Sequence, residues 1–116
     1  QRYIDKGKPP RMVMARQMLL TQANRRALPA LYSQDGLGTD AIAQVRYFWG
    51  GRSAFYATEF DGEDTFFGYM INEYGEGEWG YQSLSEMERN ASHRRFMGVE
   101  RDYHFSPCAV SAVREF

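Results

Sequence analysis

Seven carboxylates crowd into one stretch of the chain: Glu59, Asp61, Glu63, Asp64, Glu73, Glu76 and Glu78. Glu59 and Asp61 stand two apart at the end of an expected strand. That spacing puts both on one face, where a carboxylate pair could hold Mg²⁺ or Mn²⁺ as metal-dependent nucleases do. No lysine stands nearby to complete such a centre, since Arg89 is the one basic residue within 53–90. The competing reading is a hairpin tip of turn formers and solvated charge. His93, His104 and Cys108 are the soft metal ligands. Their irregular spacing matches no structural zinc pattern. No nucleophile elbow is present. Gly36 and Gly38 lack the Lys-Ser/Thr that would complete a phosphate loop. No catalytic residue, metal or cofactor is therefore expected.

Charge is unevenly distributed. Residues 1–52 hold nine Lys/Arg against three Asp/Glu, whereas residues 53–90 hold nine acids against one Arg. Residues 91–116 hold four Arg against three acids, and the whole chain sums to −1. A near-neutral total gives no global field for nucleic acid. The acidic segment is the expected contact for a basic partner. The alternative is a nucleic-acid surface. Lys6, Lys8, Arg11 and Arg16 would touch phosphates together with Arg25 and Arg26, and Arg94 and Arg95 could add to them. Aromatics on an open sheet could stack bases.

The elements that must position these groups are bounded by composition. A length of 116 residues suits one domain with one core. Apolar residues make up 43% and charged residues 25%, which excludes a disordered chain. Aromatic residues reach 16%, with eight Tyr, eight Phe and two Trp, and such residues favour strands, cores and interfaces. One cysteine forms no internal disulfide, which fits a reducing compartment. No apolar run approaches the roughly 20 residues that span a bilayer. The first ten residues are polar and lack a signal-peptide core. Cytoplasm is the expected location.

Residues 1–17 read as a basic extension, stiffened by Pro9 and Pro10, and 18–116 as a single α+β domain. A helix is expected over 22–28, with Thr21 as its N-cap and Pro29 as its stop. A meander follows, with strands over 43–49, 53–60, 65–72 and 79–82. Gly50-Gly51, Asp61-Gly62 and residues 74–78 make its turns. Ser83 and Glu86, like Ser85 and Glu88, have capping-box spacing ahead of a helix over 84–90. Residues 92–98 read as an irregular turn and 100–105 as a fifth strand. Ser106-Pro107 opens a last helix to about Glu115.

Alternation sets Tyr56 and Phe60 on one face and Phe55 on the other. It likewise sets Phe66 and Met70 against Phe67, Tyr69 and Ile71, and Phe48 against Val45, Tyr47 and Trp49. Both sheet faces thus carry large apolar groups. Short helices leave one face a candidate interface, first of all for a homodimer.

Several runs are distinctive as an ordered set. These are Phe55 to Tyr69 (FYATEFDGEDTFFGY), Gly80-Tyr81 with Ser83-Leu84-Ser85-Glu86, and Glu100-Arg101-Asp102-Tyr103 with Phe105. Leu19-Leu20-Thr21, Leu28-Pro29 and Leu31-Tyr32 precede them. Over roughly 19–113 the chain resembles the bacterial domain of unknown function 2958 family. The resemblance implies a small protein often encoded on plasmids and integrative elements, among conjugation, replication and counter-defence genes. It transfers no catalytic residue. Within these motifs Gly68 permits close backbone approach, and Arg101 has Glu59 and Glu86 as potential partners. The expected fold is α+β, an antiparallel meander of four or five strands flanked by short helices. The expected function is a non-enzymatic accessory protein of a mobile genetic element. It would bind a protein or ribonucleoprotein, such as a CRISPR or restriction complex, with no membrane association.

Overall fold

A computed structural model describes residues 18–93 and 98–113. Helix α1 is Gln22–Ala27. Thr21 caps it reciprocally with Asn24, each side chain bonding the other's backbone N–H at 3.0 Å. The helix stops where Leu28, ahead of Pro29, turns extended. A loop and a short 3₁₀ turn (Gly38–Asp40) lead to β1, Ile42–Ala43. Then come β2 (Val45–Trp49), β3 (Ser53–Phe60), β4 (Thr65–Ile71) and β5 (Gly77–Ser83). Helix α2 is Leu84–His93, β6 is Glu100–Arg101 and β7 is Cys108–Ala109. The described residues form a five-stranded antiparallel sheet in the order β5-β4-β3-β2-β6, with β1 and β7 as a separate pair. The α+β meander read from the sequence is therefore the fold.

Two cores lie on the two faces. On one, Leu19, Leu20, Leu28, Val45, Tyr47, Phe55, Phe60, Phe66, Leu84, Met87 and Val99 pack together. The buried Tyr47 hydroxyl donates to the Leu19 carbonyl at 2.7 Å, and burial pushes that phenol well above its usual range. Gly68 lies here beneath β3, where a Cβ would overlap the Tyr56 carbonyl oxygen. On the other face Ala43, Ala54, Tyr56, Ile71, Val110 and Val113 form a smaller core.

Three expectations change. Phe60 joins Phe55 rather than Tyr56, because the register shifts between Ala57 and Glu59. Thr58 is the inserted residue, and its hydroxyl donates to the Phe67 carbonyl at 3.0 Å. The fifth strand shortens to β6, since the Asp102 carboxylate accepts the His104 amide at 2.9 Å and turns the chain. The last helix is replaced by β7 and a 3₁₀ turn, Val110–Ala112. Val110 donates its amide to Ala41, and its side chain fills the second core, which holds this segment extended.

Candidate binding surface and pocket

The acidic run does not form one patch. Glu59 is 2% exposed. The bulge turns its side chain towards the second face, where Oε1 accepts the Tyr32 amide at 2.7 Å and Oε2 the Gln34 amide at 2.8 Å. Asp61 is taken up by its own turn. One carboxylate oxygen accepts the amides of Glu63, Asp64 and Thr65 at 2.8, 2.9 and 3.0 Å. These bonds, Thr65 first, hold its pKa below the usual carboxylate value. The proposed metal pair is thus not brought together. Among the described residues no three His, Cys, Asp or Glu side chains are grouped to hold a metal ion. Asp64 reaches across to α2, bonding the Ser83 hydroxyl at 2.7 Å and the Ser85 amide at 2.8 Å. The Ser83 bond, then the Ser85 amide, lowers its pKa. It caps the helix together with Ser83, whose hydroxyl accepts the Glu86 amide at 3.2 Å.

Glu63, Glu73, Glu76 and Glu78 are exposed. Glu63 sits at one end of β4 and Glu73 and Glu76 at the other, about 20 Å away at ~3.3 Å per residue. Asn72 donates to the Glu76 carboxylate at 3.1 Å within that second turn. Glu78 stands opposite Met70, on the first face.

Of the basic set, Arg25 and Arg26 are exposed in the last turn of α1. Arg25 lies over the Phe60 ring, 5.6 Å from its centroid. Lys6, Lys8, Arg11, Arg16, Arg94 and Arg95 lie outside the described residues. Arg101 stands opposite Tyr47 on the first face, away from Glu59, and its Nε donates to the Met18 carbonyl at 2.9 Å. Asp102 pairs with Arg46 at 3.1 Å. That pair borders an open groove of about 570 Å³, lined also by Tyr56, His104, Phe105 and Cys108.

On the second face the outer strands carry an aromatic ladder. Phe67 pairs across β4–β5 with Tyr81, and Tyr69 with Trp79. Ring centroids are 5.0 Å apart for Phe67 and Tyr81, and 5.2 Å for Tyr69 and Trp79. Phe67 and Trp79 stack at 5.7 Å, only 9° from parallel. Tyr81 is 53% and Tyr32 64% exposed. A Tyr32 side-chain hydrogen bond raises the Tyr81 pKa, and the charges of Asp35 and Glu59 raise it further.

Where this ladder meets the loop over 30–41 there is a cavity of about 190 Å³. Gln34, Asp35, Gly36, Gly38, Ala41, Thr58, Glu59, Phe67 and Trp79 line it. Gln34 fastens the loop like an extra strand. Its amide nitrogen donates to the Ile42 and Thr58 carbonyls at 3.1 and 2.8 Å, and its oxygen accepts the Ile42 amide at 2.7 Å. Tyr32 holds a φ of 72°, a left-handed conformation rare for a residue with a side chain. Sequence reasoning missed this cavity. Alternation in 67–69 and 79–81 carried the ladder's signal, but the bulge that turns Glu59 towards it leaves none.

The sequence profile described as Protein of unknown function (DUF2958) matches residues 15–113. The chain belongs to the DUF2958 family. Searches of curated proteins and of solved structures find no match for this DUF2958 chain. Among its described residues no helix is long and apolar enough to cross a membrane.

Proposed function

We propose that this DUF2958 protein is a non-catalytic accessory protein of a mobile genetic element. Its partner is a basic, nucleic-acid-handling protein or ribonucleoprotein, such as a CRISPR or restriction complex. The observation that carries the reading is the half-exposed ladder of Phe67, Tyr69, Trp79 and Tyr81, extended by Tyr32. Aromatic side chains offer large contact area at little entropic cost and are enriched where proteins meet. Asp35 at the cavity and exposed Glu63 at the nearby β3–β4 turn give this end of the sheet negative charge. That charge favours a cationic partner and opposes a phosphate backbone. The acidic contact is accordingly smaller than the segment 59–78, because Glu59, Asp61 and Asp64 serve the fold.

The test compares capture of host proteins by the native chain and by a Trp79→Ala/Tyr81→Ala variant, with Glu73→Lys at the opposite, β4–β5 turn as a far-end control. A partner lost with the aromatic pair and retained with Glu73→Lys supports the reading. Equal capture by all three overturns it. Two parallel measurements cover other occupants of the ladder. Sedimentation at rising concentration reads self-association through the ladder. Binding to single- and double-stranded DNA and RNA across a salt series reads the nucleic-acid alternative, with Mn²⁺ added to reveal cleavage. Tight, salt-sensitive nucleic-acid binding lost with Trp79 and Tyr81 replaces the protein partner.

A further inference from the structure

We infer that the cavity beside the ladder is a socket for one organic cation, the guanidinium or ammonium head of an arginine or lysine side chain supplied by the partner. This deepens the proposed function and rests on its basic partner. Glu59 provides the negative end. Its residue is 2% exposed, and each carboxylate oxygen accepts one backbone amide, from Tyr32 or from Gln34. A carboxylate oxygen has two acceptor directions, so each keeps one unused. Two amides are not a counter-ion, and among the described residues no ion pair to Glu59 is present. A buried carboxylate without a cation is costly, and a cation entering beside it offsets part of that cost. The walls suit the same ligand. Phe67 and Trp79 line the cavity, and aromatic faces attract cations. Asp35, exposed and also lining it, adds a second negative charge.

Size narrows the class. At ~30 Å³ per water, a cavity of about 190 Å³ holds a few waters or one short alkyl chain with its charged head, not a nucleotide or a large cofactor. A further observation ties the charges together. Asp35 and Glu59 both raise the pKa of Tyr81, so both carboxylates act on the end of the ladder. The competing explanation is that Glu59 only anchors the loop.

The experiment is a ¹H–¹⁵N NMR titration of the full chain with n-butylguanidinium and n-butylammonium chlorides, against n-butanol as neutral isostere. The reporters are the amides of Gln34, Gly36, Gly38 and Thr58 and the Trp79 indole. The expected result is saturable shifts at these positions in the millimolar range, as ligands this small allow. Butanol should bind at least about tenfold more weakly, the discrimination due to one buried charge pair. Glu59→Gln should weaken cation binding by a similar factor. If Glu59→Gln also loosens the loop, seen as loss of dispersed Tyr32 and Gln34 amides, Trp79→Leu and Asp35→Asn decide, each expected to weaken binding severalfold. Equal shifts with butanol, no saturable shift, or undiminished binding in Trp79→Leu and Asp35→Asn overturn the socket. Acetyl-Gly-Arg-Gly-amide should bind at least as tightly as putrescine, and tighter putrescine binding overturns the side-chain source. Failure of this proposal and of the proposed function are separable. Partner capture that survives without cation shifts sinks the socket alone. Cation shifts in a chain whose partner ignores Trp79 and Tyr81 sink the partner reading alone.

Discussion

The inner and outer halves of the sheet use the same residue types to opposite ends. In β3, seven consecutive residues from Ala54 to Phe60 are buried, whereas in β5 every residue from Gly77 to Ser83 is at least partly exposed. β3 lies between neighbours and has cover on both faces. α2 and the residues flanking α1 (Leu19, Leu20 and Leu28) pack on one, and the extended carboxy-terminal segment on the other, with Phe105 against Tyr56 at 5.8 Å. Arg46 seals that side, donating to the Tyr56 hydroxyl at 3.0 Å and lying over the Phe48 ring. β5 is an edge strand, and among the described residues the cover over its aromatic face reaches Trp79 but leaves Tyr81 53% exposed. Phe66 and Phe67, adjacent in sequence, divide between the two uses. Phe66 is fully buried against Tyr47 and Phe60, while Phe67 is half-buried in the ladder. Burial stabilises the first, and the second is placed to meet something else.

The largest effect should come from breaking that contrast at its buried side. Phe66→Ala leaves a cavity and should cost about 3–5 kcal/mol, a large share of the 5–15 kcal/mol typical of a domain. Trp79→Ala, half-buried, should cost roughly 1–2 kcal/mol while abolishing partner capture. Urea denaturation of both variants checks the ordering. Equal costs would mean that the ladder is core, not surface.

Next in size is Glu59→Ala, which leaves the Tyr32 and Gln34 amides without acceptors at about 1–3 kcal/mol each. Hydrogen exchange should locate the loss in the loop over 30–41, with β2 and β3 still protected. Uniform loss of protection across the sheet would show that the loop and the inner half are one cooperative unit.

Strands β2 to β5, their turns and the first helix were legible because each rests on local signals. Thr21 and Pro29 bound α1, and Gly50, Gly62 and Gly75 take positive φ at the turns. Facing was legible by alternation up to Ala57 and failed at Thr58, because a bulge shifts the period and no residue type announces it. The carboxy-terminal segment misled for a related reason. Ser106-Pro107 is a sound helix start, but Val110 and Val113 find a preformed apolar face, and tertiary burial overrides the local preference. The acidic run was visible as composition, yet beyond the local clasp of Asp61 its division into helix cap, loop anchor and free charge depends on partners distant in sequence. Asp64 meets Ser85, and Glu59 meets Tyr32.

A smaller, pH-dependent effect belongs to the turn between β3 and β4, where inner and outer halves join. Asp61 and Asp64 both have lowered pKa values in the folded chain. A depressed folded pKa contributes stability above the unfolded value, here the ordinary 3.8, and that contribution is lost as pH falls below it. Thermal melts between pH 6 and about pH 3 should therefore show a falling midpoint. Asp64→Asn should lower the midpoint at neutral pH and flatten the acid dependence. A variant with the same acid slope as the wild type would show that the cap is not formed in solution. A Lys at position 64 would disturb α2 as well as surface charge, so Glu63→Lys is the clean charge test.

The smallest effect tests the exposed end of the ladder directly. The Tyr81 hydroxyl is raised above its ordinary pKa of 10.0, first by its bond to Tyr32 and then by desolvation and the nearby charges. Tyr32→Phe should lower the Tyr81 pKa towards 10.0, and Asp35→Asn should lower it less, both read from tyrosine ¹³Cζ shifts against pH. A raised folded pKa favours the fold below the unfolded value and is lost as pH rises through it, so the wild type should lose this contribution only in alkali. Neutral-pH stability should barely change in either variant, because both side chains are exposed. An unchanged Tyr81 pKa in Tyr32→Phe would mean that the two hydroxyls do not meet in solution. The ladder would then end at Tyr81, and the loop would be free to admit a ligand larger than one side chain.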